Sequence, residues 1–255
     1  MILQRLATSI RKQDWFTVLV ETLIVVFGVF IGLQVNNWNE ARQERVQERE
    51  YLVRLHEDFA ESVAGQSRDI RFLDQQLADQ AIILKSLKAC AVAPGESAAF
   101  QRGLNTLGFI NRPRIFRRTV DEMAAAGTID IMHDDAIKQE LARIVALVEW
   151  RGTGFGQVAR HVEHYRFIIE EQVQYDLTRL YEDPFLGDFV GVDFDIETLC
   201  SDPRMASAVS AISNTTRERK RAYEPILDQF EAFLPMLESE LQERWGGGSE
   251  TTETP

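Results

Sequence analysis

Hydrophobic and polar positions divide the chain into three regimes. From Trp15 to Val35 the residues are apolar almost without interruption, and Glu21 is the one charge. At 1.5 Å per residue this stretch predicts a helix about 30 Å long, the thickness of a bilayer's apolar core. A soluble helix rarely lacks a polar face over about five turns. No small-residue cleavage site follows; the next residues are Asn36, Asn37, Trp38 and Asn39. The stretch therefore reads as an uncleaved membrane anchor rather than a signal peptide. Trp15 and Trp38 stand at its ends, where interfacial aromatic belts form. No later segment reaches the roughly 18 apolar residues of a second span.

The second regime is amphipathic. From Asn39 to Cys90 there is no proline, and Leu52, Leu55, Phe59, Val63, Ile70, Leu73, Leu77, Leu84 and Leu87 recur at spacings of three, four or seven. That spacing predicts a long helix, continuous with the anchor, with Gly65 as a weak point. "VAPGES" (Val92 to Ser97) predicts a turn, and a short helix is expected over Ala98 to Phe109. The third regime alternates short helices with breaks. Thr119 and Glu122 form a capping-box pattern ahead of a short helix that Gly127 terminates. Asp134 or Asp135 opens the next, which carries Ile137, Leu141, Ile144, Val145 and Val148 inward. "RGTGFGQ" (Arg151 to Gln157) interrupts it, and helix resumes from His161 to Tyr181. "DPFLGDFVGVDFD" (Asp183 to Asp195) reads as a loop or short extended piece. Pro203 opens a last helix to Trp245, with Pro225 and Pro235 as bends. "GGGSETTETP" is a flexible tail.

Charge sharpens this picture. The 255-residue chain has a net charge of −12. Up to Asn39, Arg5, Arg11 and Lys12 stand against Asp14 and Glu21, a balance of +1, so the remainder carries −13. A domain that acidic is repelled by nucleic acid, and no nucleic-acid partner is expected. The short leader ahead of the anchor places Ile2, Leu3, Leu6 and Ile10 on one helical face, suited to lying along a membrane surface. Its basic residues put the N-terminus in the cytoplasm and the rest of the chain in the periplasm, although Arg42, Arg45, Arg49 and Arg54 nearly balance the count.

Within the anchor, Glu21, Val25, Gly28, Gly32 and Asn36 share one face at 100° per residue. Gly28 and Gly32 form a small-xxx-small pair that lets two helices approach closely. The stripe predicts packing against a second copy or another membrane helix. The alternative is the ordinary abundance of glycine in membrane helices.

"GVFIGLQVNNWNEARQER" followed by a long charged helix resembles a family of uncharacterised bacterial single-pass membrane proteins. Their shared mark is an apolar helix ending in a Gln-x-Asn-Asn-Trp-Asn-Glu run, here Gln34 to Glu40. A second likeness lies in "TVDEMAAAGTIDIMHDDAIKQELARIV". The resemblance implies a membrane anchor with a helical domain and supplies no catalytic residues.

Several clusters are candidates for chemistry. Arg112, Arg114, Arg117 and Arg118 gather within seven residues of an acidic domain. They suit an anionic ligand or acidic partner, or they are neutralised internally by the acidic helices, the favoured alternative. "RERKR" (Arg217 to Arg221) reads as a solvated face. His161 and His164 have the spacing of metal ligands on a helix, but nothing completes a metal set, and no metal or cofactor is expected. Asp183, Asp188, Asp193 and Asp195 lack the spacing of a calcium loop. Cys90 and Cys200 would form a disulfide if the domain lies in an oxidising compartment.

The chain is therefore expected to be mainly α, with one N-terminal transmembrane helix continuing into an elongated helical-bundle domain. Its expected parts are a leader over 1–14, a transmembrane helix over 15–35, a helical extracytoplasmic domain over 36–245 and a tail over 246–255. No nucleophile elbow, metalloprotease motif or phosphate loop is present in the sequence. The expected function is membrane-anchored interaction or scaffolding without catalysis, with the lipid bilayer and a second copy or another membrane protein as partners. The alternative is an anchored sensor or ligand-binding domain. The short leader leaves no room for a cytoplasmic output domain, so a sensor would need a partner protein.

Overall fold

The computed structural model describes residues 15–183 and 187–246. The basic leader over 1–14 and the tail past Gly246 lie outside the described residues, as does the side chain of Trp15. The fold is mainly α. Helix α1 (Trp15–Ala89) runs 75 residues without a break, through Gly65. It is followed by α2 (Ser97–Thr106), α3 (Arg118–Ala126), a 3₁₀ turn (Ile129–Ile131), α4 (Asp135–Thr153) and α5 (Phe155–Glu170). Strands β1 (Val173–Asp183) and β2 (Gly187–Phe194), α6 (Ile196–Ser201) and α7 (Pro203–Trp245) complete the order.

Two compact units divide within α1, one ending at Tyr51 and the other starting at Leu52. Residues 36–51 of α1 are mostly exposed. In the first unit, the most apolar stretch of α1 has a mean hydropathy of 1.9 and none of it is buried. It is long and apolar enough to cross a membrane.

In the second unit, α4 and α5 pack on α7. The part of α1 beyond Leu52 runs antiparallel to α7, so that His56 meets Glu238 at one end and Gln80 meets Thr216 further along. Phe59 packs edge-on against Phe230 and Phe233, with centroids 5.6 and 4.7 Å away, and all three are buried. Burying each such ring stabilises the fold by about 1.5–3 kcal/mol. A second apolar cluster gathers Ile83, Leu87, Phe100, Leu104, Leu199, Met205 and Val209. Between these two levels both helices turn polar: Ser62, Gln66, Asp69, Gln76, Asp79 and Gln80 on α1 and Thr216 and Arg219 on α7 are all buried.

Several local expectations are corrected. Val63, Ile70, Leu77 and Leu84 are only half-buried. Those four recur every seven residues, and a straight helix drifts about 20° per heptad, so the polar residues above take the inward face. The Thr119–Glu122 capping box does not form. Helix α3 starts at Arg118, the Thr119 N–H donates to Asp58 Oδ2 at 2.9 Å, and Glu122 pairs with Arg54. Gly127 does end α3, in the left-handed conformation (φ 66°) that its missing Cβ permits. Asp134 caps α4, accepting from the Ala136 and Ile137 N–H groups at 2.6 and 3.3 Å.

The largest difference is the β-hairpin. Helix α5 stops at Glu170 instead of running to Tyr181, and β1 pairs antiparallel with β2. The register slips between Asp176 and Leu180. There the Asp176 carboxylate accepts from the Thr178 N–H and hydroxyl and from Arg179, and these hydrogen bonds lower its pKa to about 2. Pro225 and Pro235 lie inside α7, which nonetheless continues to Trp245.

Candidate functional site

The membrane-helix stripe is open. Glu21, Val25, Gly28, Gly32 and Asn36 are all exposed, and a Cβ added at either glycine would meet nothing within 4 Å. Asn36 donates to Glu40 at 2.7 Å, one turn on. Trp38 is exposed as well. Among the described residues nothing covers this face.

The arginine run is dispersed by its backbone. Residues 107–117 are not helical, so neighbouring side chains diverge. Arg118 pairs with Asp58 and Glu61 at 2.9 Å each, and Arg117 with Asp121 and Glu149 at 3.0 and 2.7 Å. Hydrogen bonds donated to those carboxylates hold both guanidinium pKa values above their usual range. Arg112 lies over the Phe155 ring at 5.1 Å. Arg114 alone of the four lines a cleft, with Asp69 3.3 Å away.

What holds this segment is the buried polar level. Along α1, Ser62 Oγ accepts from the Phe116 N–H at 2.9 Å and Gln66 Oε1 from the Arg114 N–H at 3.3 Å. Gln76 Nε2 donates to the Thr106 and Phe109 carbonyls at 2.7 and 3.1 Å. From α7, Arg219 donates to the Phe109 and Asn111 carbonyls at 3.3 Å each, and the Tyr223 hydroxyl also donates to Asn111. Two extended residues advance about 6.6 Å, and four helical residues about 6 Å. Polar side chains four apart on α1 therefore match alternate N–H groups of an extended strap. Backbone groups with no sheet to join are satisfied this way.

Arg219 corrects the reading of "RERKR" as a solvated face. It is 7% exposed, and burial pulls its pKa below the usual range. Lys220 and Arg221 do face outward, toward Asp74 and Glu218. The missed signal was periodic: Ile212, Thr216, Arg219, Tyr223 and Ile226 continue the core spacing of α7.

Above the strap opens a cleft of about 770 Å³, within the range of roughly 300–1,000 Å³ of small-molecule sites. Arg68, Asp69, Arg71 and Phe72 of α1 form one wall, with Asn105, Thr106, Phe109, Asn111 and Arg114 opposite and Asp188, Phe189 and Val190 of β2 at the rim. Asn105 fixes the hairpin by donating to the Val190 carbonyl at 2.8 Å. Burial pushes the Asp69 carboxyl above its usual range, against the pull of Arg114 and the hydrogen bond from Asn111.

Other candidates are plainer. His161 and His164 are exposed and set edge-on to Tyr165. Asp195 caps α6, and Asp193 pairs with Arg179. Among the described residues no three ligating side chains gather as a metal site would need. Cys90, just past α1, is bridged to Cys200 in α6, with Cα atoms 5.4 Å apart. Comparison with known protein families, curated proteins and solved structures finds no match.

Proposed function

We propose that this chain is a single-pass anchor of a bacterial inner membrane, holding a helical interaction domain on the periplasmic side. The observation that carries the reading is the wholly uncovered apolar stretch of α1, joined without a break to a helix of the folded unit. A bilayer removes that surface from water, where leaving it exposed would drive aggregation. The Cys90–Cys200 bridge supports an oxidising compartment, and the likeness of the Gln34–Glu40 run to single-pass membrane proteins agrees with it. An alkaline phosphatase fused after Ser249 is expected to be active, since that enzyme needs its own disulfides. A stable but inactive fusion would place the domain in the cytoplasm and end this reading.

The interaction itself starts in the membrane, where the open Gly28–Gly32 face lets a second helix approach closely. Replacing both glycines by leucine is expected to abolish self-association, read by cross-linking in membranes. Unchanged cross-linking would move the contact off this face. A second reading, ligand binding, is favoured by the cleft beside Arg68 and Arg71.

A further inference from the structure

We propose that this cleft binds a small organic anion, a phosphate or carboxylate group carried on a flat apolar body. The inference develops the ligand-binding reading and is independent of the anchor. Its first ground is charge. In a domain of −13, three arginines line the cleft against two carboxylates, Asp69 and Asp188. Arg68 and Arg71 are exposed, lie one turn apart on the same helix and form no ion pair among the described residues. Arg54, Arg102, Arg117, Arg118 and Arg179 of the same domain hold carboxylates, while Arg112, Arg151, Arg160 and Arg217, like Arg68 and Arg71, form no ion pair among the described residues. Two unpaired forks at i, i+3 stand within about 6 Å of each other at Cβ, close enough to share one two- or three-oxygen anion.

The second ground is shape. Phe72 and Phe109 meet edge-on at 5.7 Å, and Phe189 stacks on Tyr181 at 5.3 Å. They give the cleft apolar walls, suited to a planar body rather than to a bare ion. The third ground is a rigid floor. Asp69 is 5% exposed, and its Oδ2 lies 3.3 Å from Arg114 Nε. That oxygen faces Arg114, whose side chain is half-exposed at the cleft. Asp69 and the strap thus hold Arg114 in place at the cleft.

The test uses full-length protein in a non-ionic detergent, titrated calorimetrically with 1-naphthyl phosphate and with inorganic phosphate. The naphthyl ester is expected to bind at least tenfold tighter. Arg68→Gln with Arg71→Gln should weaken it at least tenfold. Phe189→Ala should weaken the ester while leaving inorganic phosphate unchanged. Arg217→Gln with Arg221→Gln removes the same charge from the far face of α7 and should change neither. No binding to the natural chain would overturn the proposal, and so would an equal loss in the α7 control. Displacement by phosphatidic acid added to the micelles would assign the anion to a lipid headgroup, and its absence to a soluble compound. An active phosphatase fusion of a chain that fails to bind would leave the anchor standing and remove the ligand alone.

Discussion

Reducing the Cys90–Cys200 bridge is expected to lower the melting temperature of the domain by on the order of 10–15 °C. The bridge closes a loop across a sequence separation of 110 residues. Loops of about 100 residues contribute roughly 4.7 kcal/mol by restricting the unfolded chain, and one kcal/mol moves a domain of this size by about 2–4 °C. The location adds to the effect. Cys90 leaves α1 in the left-handed region (φ 50°), unusual for a side chain with a Cβ, and Cys200 leads within three residues to the start of α7. The bridge therefore ties the ends of two long antiparallel helices. Far-UV circular dichroism of the full chain, with and without dithiothreitol, measures the loss. Cys90→Ser with Cys200→Ser should reproduce it and then be insensitive to reductant. Equal melting of all forms would show that the bridge constrains nothing.

Arg102→Met is expected to destabilise the domain by about 3–5 kcal/mol, the cost of leaving a buried charge without its partner. Asp79 is 1% exposed and accepts from Arg102 Nε and Nη2 at 2.7 Å each, with Gln75 adding a third bond at 3.0 Å. Methionine fills most of the arginine's volume, so lost packing accounts for little. Adding Asp79→Leu should restore much of the loss, because an apolar pair of similar size often matches a buried ion pair. Urea unfolding of the four proteins closes the cycle. A single variant within about 1 kcal/mol of the natural chain, inside the range of an exposed ion pair, would mean that water reaches Asp79.

How much of this was legible depended on periodicity. Leu52, Leu55 and Phe59 are buried as their spacing required, and Gly127 and Asp134 terminate and cap helices as their chemistry required. The hairpin was not legible. Val173, Leu177, Leu180 and Tyr181 fall at i, i+4, i+7 and i+8, a helical spacing. The irregularity between Asp176 and Leu180 breaks the alternation that would have marked a strand. The cleft was half legible. Arg114 came from the arginine run, but Arg68 and Arg71 looked like any solvated helix face, and only the return of the chain beside them makes a site. The buried polar level was hidden for another reason. Ser62, Gln66 and Gln76 occupy inward positions, where polar side chains are unexpected until a strap of backbone arrives to meet them.

That strap has a parity. Ser62 and Gln66 grip every second residue, Phe116 and Arg114, while Phe109 and Asn111 present alternate carbonyls to Arg219. One residue inserted between Asn111 and Arg114 would reverse every later side chain, turning Arg114 away from the cleft and breaking its step with α1. Two inserted residues would restore the facing. Length variation here should therefore come in even steps, a counting rule imposed by a helix on a chain with no strand beside it.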